Sequence, residues 1–323
     1  MSWLQLCIEI DPDHTPLIES WLEEEGALAV SLTDGADEAI YEPPPATLPL
    51  WSRTQVTGLF ADTTDVVMVA ARLTEKAGQQ LNWRVQSVAD RDWERVWLDD
   101  FHPLSCGSRL WICPFGSSVP HPEAVVLWLD PGLAFGTGHH PTTALCLEWL
   151  DASLKVGCSV VDYGCGSGIL GLAALRLGAT QCWAVDHDPQ AIRATLANAA
   201  RNGIATCQAA EMNSHSLVAE LMPPLWAGLP EHLPAIKADL LLANILARPL
   251  VELAVYFSGM IQPGGYIVLS GILDHQETEI ISAYQSWFDF QPAVVRMGWI
   301  CLVGIRNRST LNKPCSSEEL VSC

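Results

Sequence analysis

Two runs decide the fold, LDPGLAFGTGHHPTTALCLEWL at residues 129–150 and VVDYGCGSGILGLAALRLGATQCWAVDHDP at residues 160–189. In the second, Val160, Val161 and Asp162 form a short apolar strand ending in an acid. Gly164, Gly166 and Gly168 follow at alternate positions, and then a helical run extends from Ile169 to Leu177. Strand, bare turn and helix start in that order let a ligand lie against the backbone, because glycine has no Cβ and accepts positive φ. A further strand, Cys182 to Val185, ends in Asp186, at the distance where an α/β nucleotide fold offers an acid to ribose hydroxyls.

The glycine spacing narrows the ligand. A dinucleotide fingerprint reads G-x-G-x-x-G with a helix start aimed at a pyrophosphate. Here the pattern is acid-x-G-x-G-x-G from Asp162 to Gly168, with the third glycine one residue early and no cation beside it. An uncharged turn flanked by carboxylates suits a ligand that carries positive charge and a ribose, and S-adenosylmethionine is such a ligand. A tight turn whose glycines serve packing alone is the competing reading, and a NAD-linked oxidoreductase falls behind on the early glycine.

Composition frames the rest. The chain has 323 residues, enough for about two domains with cores of their own. With 49% apolar residues it is globular, and its longest oily stretch, Leu240 to Phe257, is a poor membrane span because it holds Arg248 and Glu252. No basic region precedes an apolar core at the N-terminus, so a cytoplasmic site without a signal peptide is expected. The eleven cysteines are scattered without a C-x-x-C pair and read as reduced, buried thiols. A formal net charge of −20 repels phosphate, which argues against direct nucleic-acid capture and favours a basic protein partner.

From the start, Leu4, Leu6, Ile8 and Ile10 alternate with polar residues as in a half-buried strand. Asp11 and Pro12 are placed to open a helix, with Leu17, Ile18, Trp21 and Leu22 at helical spacing and Gly26 as the stop. Strands at Ala27 to Leu32 and Gln55 to Phe60 flank a proline-rich loop. A helix burying Val66, Val69, Ala70 and Leu73 and a strand from Trp83 to Val88 complete the order β-α-β-β-α-β. That is the split βαβ pattern of a ferredoxin-like α+β domain, expected over residues 1–89. Trp93, Trp97 and Phe101 then share one side of a linker helix over 90–103, which Pro103 ends.

Residues 104–305 read as the main α/β domain, and the polar stretch 306–323 as a disordered tail. His102, Cys106, Cys113 and His121 match no common zinc spacing, so no metal is expected. Pro141 opens a helix with Thr142 and Thr143 in its first turn, where hydroxyls and free amides could hold a carboxylate, ordinary capping being the alternative. His139 and His140 precede it as loop histidines and are the only nearby base candidates. Asn244 sits where the strand Asp239 to Ala243 ends, at the ligand-binding edge of an α/β sheet. Its amide can donate and accept.

Five ordered motifs now stand together: DPGLAFGTGHHPTT, VVDYGCGSGILGLAALRLGA, AVDHDPQAIRATLANAARNGI, LLLANILARPLVELA and PGGYIVLSGIL. They resemble the ribosomal protein L-eleven methyltransferase family (PrmA) from Asp130 to Leu273, and the N-terminal layout is similar too. The resemblance implies a small substrate-recognition domain followed by a class I methyltransferase domain, Rossmann-like with a seven-stranded sheet. It implies contacts to S-adenosyl-L-methionine by Thr143, Gly164, Asp186 and Asn244, to which the acid-glycine pattern itself adds Asp162 and Gly166. The implied substrate is ribosomal protein L-eleven, methylated at its N-terminal amine and lysines, with Asn244 and the Gly132 to Gly138 loop orienting the amine. Other readings remain open here: a methyltransferase of this fold for another protein or a small molecule, and a non-catalytic cofactor-binding assembly factor. The stretch Glu211 to Lys237, with four prolines, departs from the family layout and reads as a long insertion.

Overall fold

The computed structural model describes residues 2–36, 50–89, 102–119, 121–130, 138–208 and 223–308. The predicted linker helix, most of the Gly132 to Gly138 loop and most of the tail lie outside these residues. The chain divides into two compact units, Met1–Val96 and Trp97–Cys323.

In the first unit, β1 (Ser2–Ile10), α1 (Thr15–Glu24), β2 (Ala29–Asp34), β3 (Thr54–Ala61), α2 (Val66–Ala77) and β4 (Asn82–Ala89) follow one another. The sheet order is β2-β3-β1-β4 and every pairing is antiparallel, which is the split βαβ arrangement. Helix α2 buries Val66, Val69, Ala70 and Leu73, the apolar stripe expected from spacing alone, and α1 buries Ile18 and Leu22. These meet Leu6, Ile8, Val56 and Phe60 in one core. Asp65 caps α2 by accepting from the Met68 N–H, and Gly78 ends it at φ 62°. The start of α1 departs from expectation. Pro12–His14 form a 3-10 turn, and Asp11 makes no side-chain cap.

The second unit opens with β5 (Leu104–Cys106), β6 (Leu110–Pro114) and β7 (Val125–Leu129), a three-stranded sheet in that order. Then come α3 (Pro141–Ser153), β8 (Ser159–Tyr163), α4 (Ile169–Arg176), β9 (Gln181–Val185), α5 (Pro189–Arg201), β10 (Thr206–Gln208), β11 (Leu225–Gly228) and β12 (Ala238–Asn244). The chain closes with α6 (Ala247–Glu252), α7 (Ala254–Met260), β13 (Ile261–Leu273), α8 (Glu277–Tyr284), β14 (Phe288–Phe290), β15 (Val294–Arg296) and β16 (Trp299–Arg306).

Its large sheet runs β10-β11-β9-β8-β12-β13-β16-β14, with β15 on β16, nine strands in place of the expected seven. The two extras are three-residue strands, β10 at one edge and β15 in a hairpin. Strands β8, β9, β11, β12 and β13 are mutually parallel, and β16 returns antiparallel between β13 and β14. Parallel strands buried on both faces need continuous apolar runs, and β8 and β12 have them. Val160, Leu240 and Leu242 face one core with α3, α4 and α5, while Val161, Leu241 and Ala243 face the other with α6, α7 and α8. Burying each such side chain contributes about 1.5–3 kcal/mol.

Strand β11 corrects the reading of Glu211 to Lys237 as insertion alone. Leu225, Trp226, Ala227 and Gly228 are all buried beside β9. Four buried residues show no alternation, and the surrounding prolines masked the strand. Past Asn244 the chain forms two short helices, α6 and α7, that meet at Leu253.

Candidate functional site

Register brings the predicted residues to one edge. Tyr163 on β8 pairs with Val185 on β9 and with Ala243 on β12. The next residues, Gly164 and Asp186 just past their strands and Asn244 as the last of β12, therefore come together at the carboxyl edge of the sheet. Strand β8 lies where the order reverses, with β9 on one side and β12 on the other, the switch point at which open α/β sheets bind ligands.

Gly164, Gly166 and Gly168 all hold positive φ, at 77°, 55° and 80°. The turn is tied to the neighbouring strand, since Gly164 and Cys165 donate to the Val185 carbonyl at 2.8 and 3.0 Å. The Gly166 N–H donates to Asp186 Oδ2 at 2.9 Å. Asp186 Oδ1 accepts from the Asp188 N–H at 3.0 Å, which leaves lone pairs on a carboxylate beside the turn. Gly164 also meets a steric demand, because a Cβ there would fall 2.3 Å from Ile245 Cγ2.

Asp162 serves the same turn from beneath. It is 1% exposed, and its Oδ2 accepts the Gly171 N–H of α4 at 2.8 Å. Burial, opposed by that hydrogen bond and reinforced by the Asp186 charge, pushes its carboxyl up to about 7. Asp162 thus fixes the angle between β8 and α4 from within the core.

At α3 the structure corrects the free-amide reading. Pro141 has no N–H, the Thr142 N–H is capped by His140 Nδ1 at 3.4 Å, and Thr143 and Ala144 donate to the His140 carbonyl at 3.1 and 3.0 Å. No first-turn amide from Thr142 to Ala144 is left for a carboxylate. Thr143 is 1% exposed, and its Oγ1 accepts from Asn244 Nδ2 at 3.1 Å. These two predicted residues touch, and Thr143 sets the rotamer of Asn244. The Asn244 carbonyl oxygen and second N–H have no partner among the described residues. His140 stacks edge-on with Trp299 at 4.9 Å, and burial lowers its pKa.

Several participants had escaped notice. Thr195 on α5 donates to the Gly166 carbonyl at 3.1 Å, and Asn198, one turn on, donates to the Ser167 carbonyl at 2.9 Å. Both are fully buried. Their sequence signal is a pair of polar residues on the buried face of an amphipathic helix. Gly271, at φ 82° in the irregular part of β13, lets the Ile245 backbone approach. A Cβ there would lie 2.4 Å from the Ile245 carbonyl oxygen.

The donor set has a definite sign. Between Asp162 and Asp188 the one Lys or Arg is Arg176, whose guanidinium is turned away to the Val126 carbonyl at 3.0 Å, while the exposed His187 Nδ1 lies 3.5 Å from Asp186 Oδ1. A phosphate would meet no positive side chain in this turn, whereas a cationic nucleoside would meet Asp186. A cavity of about 240 Å³ opens at the opposite, amino edge, between Trp149, Lys155, Asp239 and Tyr266. It touches none of the predicted residues. Among the described residues no three His, Cys, Asp or Glu side chains gather to hold a metal, and no helix is long and apolar enough to cross a membrane.

Comparison with known proteins shows the family. The family model described as ribosomal protein L11 methyltransferase (PrmA) matches residues 2–307. A ribosomal protein L11 methyltransferase from Marinobacter nauticus is 48% identical over 311 residues, covering 95% of this chain and 99% of its own. One from Pseudomonas aeruginosa is 47% identical over 307 residues, with 95% and 99% covered. The crystal structure of ribosomal protein L11 methylase from Lactobacillus delbrueckii subsp. bulgaricus aligns at TM-score 0.52 and 28% identity, over 64% of this chain and all of its own. The chain belongs to the ribosomal protein L11 methyltransferase family.

Proposed function

We propose that this protein transfers methyl groups from S-adenosyl-L-methionine to amines of ribosomal protein L11, its N-terminal amine and lysine side chains. The observation that carries the reading is the meeting of Gly164, Asp186 and Asn244 at one sheet edge, at the switch point. Asp186 would accept from the ribose hydroxyls, and the Gly164 to Gly168 turn would hold the nucleoside against its backbone. Asp162 and Thr143 act behind them, Asp162 by fixing the turn and Thr143 by holding Asn244. When bound, S-adenosylmethionine supplies a methyl group already activated by its sulfonium.

The protein's own task is to position an amine. Holding the acceptor in a near-attack arrangement lowers the barrier by about 7 kcal/mol or more. The Asn244 side-chain carbonyl oxygen is a suitable acceptor for the amine N–H, and the Gly132 to Gly138 loop, which follows β7 in sequence, is proposed to help orient the amine. The amine must first be neutral. A chain α-amine, with a pKa of about 8, loses its proton readily, while a lysine near about 10.4 must be desolvated. His140, capping α3 through Nδ1 and biased to the neutral form, is committed to the helix, so the proton leaves to solvent.

Residues 1–89 are the proposed recognition domain, joined through 90–103 to the catalytic domain at 104–305. The net charge of −20 favours a basic protein partner over nucleic acid, and a ribosomal protein as acceptor goes with a cytoplasmic place of work. The test mixes the protein with labelled S-adenosylmethionine and unmethylated L11, then maps the label by mass. Label at the N-terminus and lysines supports the proposal, and unlabelled L11 refutes it.

A further inference from the structure

Strands β15 and β16 are joined by the two-residue turn Met297-Gly298, closed by the Arg296–Trp299 pair. Both turn residues hold positive φ, at 52° and 78°. Two-residue hairpins with this backbone favour Asn-Gly or Asp-Gly, and Met297 is the one non-glycine with positive φ among the described residues. Its side chain is 84% exposed, so packing within the described residues does not explain it.

The tip is braced. Arg296 forms a two-pronged ion pair with Glu148 of α3 at 3.0 and 2.8 Å. The Trp299 ring meets His140, and the Gly298 carbonyl accepts from the Asp274 N–H at 3.0 Å. The same α3 start carries Thr143, which holds Asn244. Along β13, Ser270 is level with Asn244 and Leu273 with Trp299. The tip therefore stands beyond the site, past the irregular stretch of β13 at Gly271.

Acid lies beside this apolar tip. The Asp274 side chain is 59% exposed, with the exposed His275 Nδ1 at 3.8 Å as its one ion-pair neighbour among the described residues, and Glu277 and Glu279 follow in the first turn of α8. We propose that Met297 and Asp274 form a docking point for the protein substrate, taking a segment in which a lysine follows an apolar side chain. Met297 packs on the apolar group while Asp274 faces the ammonium. The charge pattern selects this occupant, and the inference rests on the function proposed above.

The test is methyl transfer to L11 by Met297→Asn, which keeps the turn backbone and removes the apolar reach. KM for L11 rises about ten-fold, with kcat, cofactor affinity by calorimetry and thermal midpoint unimpaired. Asp274→Asn raises KM about three-fold at low salt, and the difference fades as salt screens it. An unchanged KM in Met297→Asn overturns the inference, as does a variant that changes only self-association on gel filtration. Wild-type protein that binds cofactor yet leaves L11 unlabelled overturns the functional reading first, and this inference with it.

Discussion

A carboxyl group sealed into a core and paired with one backbone amide resists ionisation, and Asp162 is such a group. Its folded pKa of about 7 stands above the ordinary 3.8, so the protonated form favours folding. That contribution is complete below about pH 3.8 and is lost as pH rises through about 7. Asp162→Asn keeps an acceptor for the Gly171 N–H but cannot titrate. Between pH 5 and pH 8 the wild type should lose on the order of 2 kcal/mol relative to the variant in urea unfolding; parallel pH profiles would contradict the burial argument. A second residue decides the proton's route. His140→Asn preserves the cap of α3, and methyl transfer should stay within about three-fold of wild type, whereas a fixed base contributes about 100-fold or more. A loss of that size with cofactor binding intact would make His140 the base.

At the scale of elements, the segment after β12 is held between two bare positions, Gly164 against the Ile245 side chain and Gly271 against its backbone. Gly271→Ala should cost roughly 2–4 kcal/mol in urea unfolding and weaken cofactor binding by displacing Asn244. A neutral substitution would mean that the segment yields. The glycine turn was legible because its spacing is local. Gly271 was not, because the close approach comes from Ile245, far away in sequence. The α3 start was half legible. Pro141 and the threonines announced a helix, but a histidine is a rare cap, and only the fold shows the His140 side chain taking the amide expected for a ligand. Strand β11 was hidden because four buried apolar residues have no period to read.

For the whole molecule, element order carried the reading further than any single residue. Alternating strands and helices implied an α/β domain, which the resemblance made Rossmann-like, and a β-α-β-β-α-β run ahead of it implied a separate small unit. The edge addition β10 lay beyond reach, since a three-residue strand depends on its neighbours for existence. The division of labour between the units has its own test. Removal of residues 1–89 should leave cofactor binding by the remaining chain and abolish transfer to L11; retained transfer would place recognition elsewhere. The central claim is that a cationic nucleoside lies on the Gly164 to Gly168 turn with Asp186 on its sugar. Calorimetry of S-adenosylmethionine and its demethylated product against the wild type and Asp186→Ala tests it most directly. The account predicts saturable heat with the wild type and an affinity loss of about 10- to 100-fold in the variant, the equivalent of roughly 1.5–3 kcal/mol for charge-assisted bonds. Folded wild-type protein that gives no heat with either compound while binding a nicotinamide dinucleotide would contradict it.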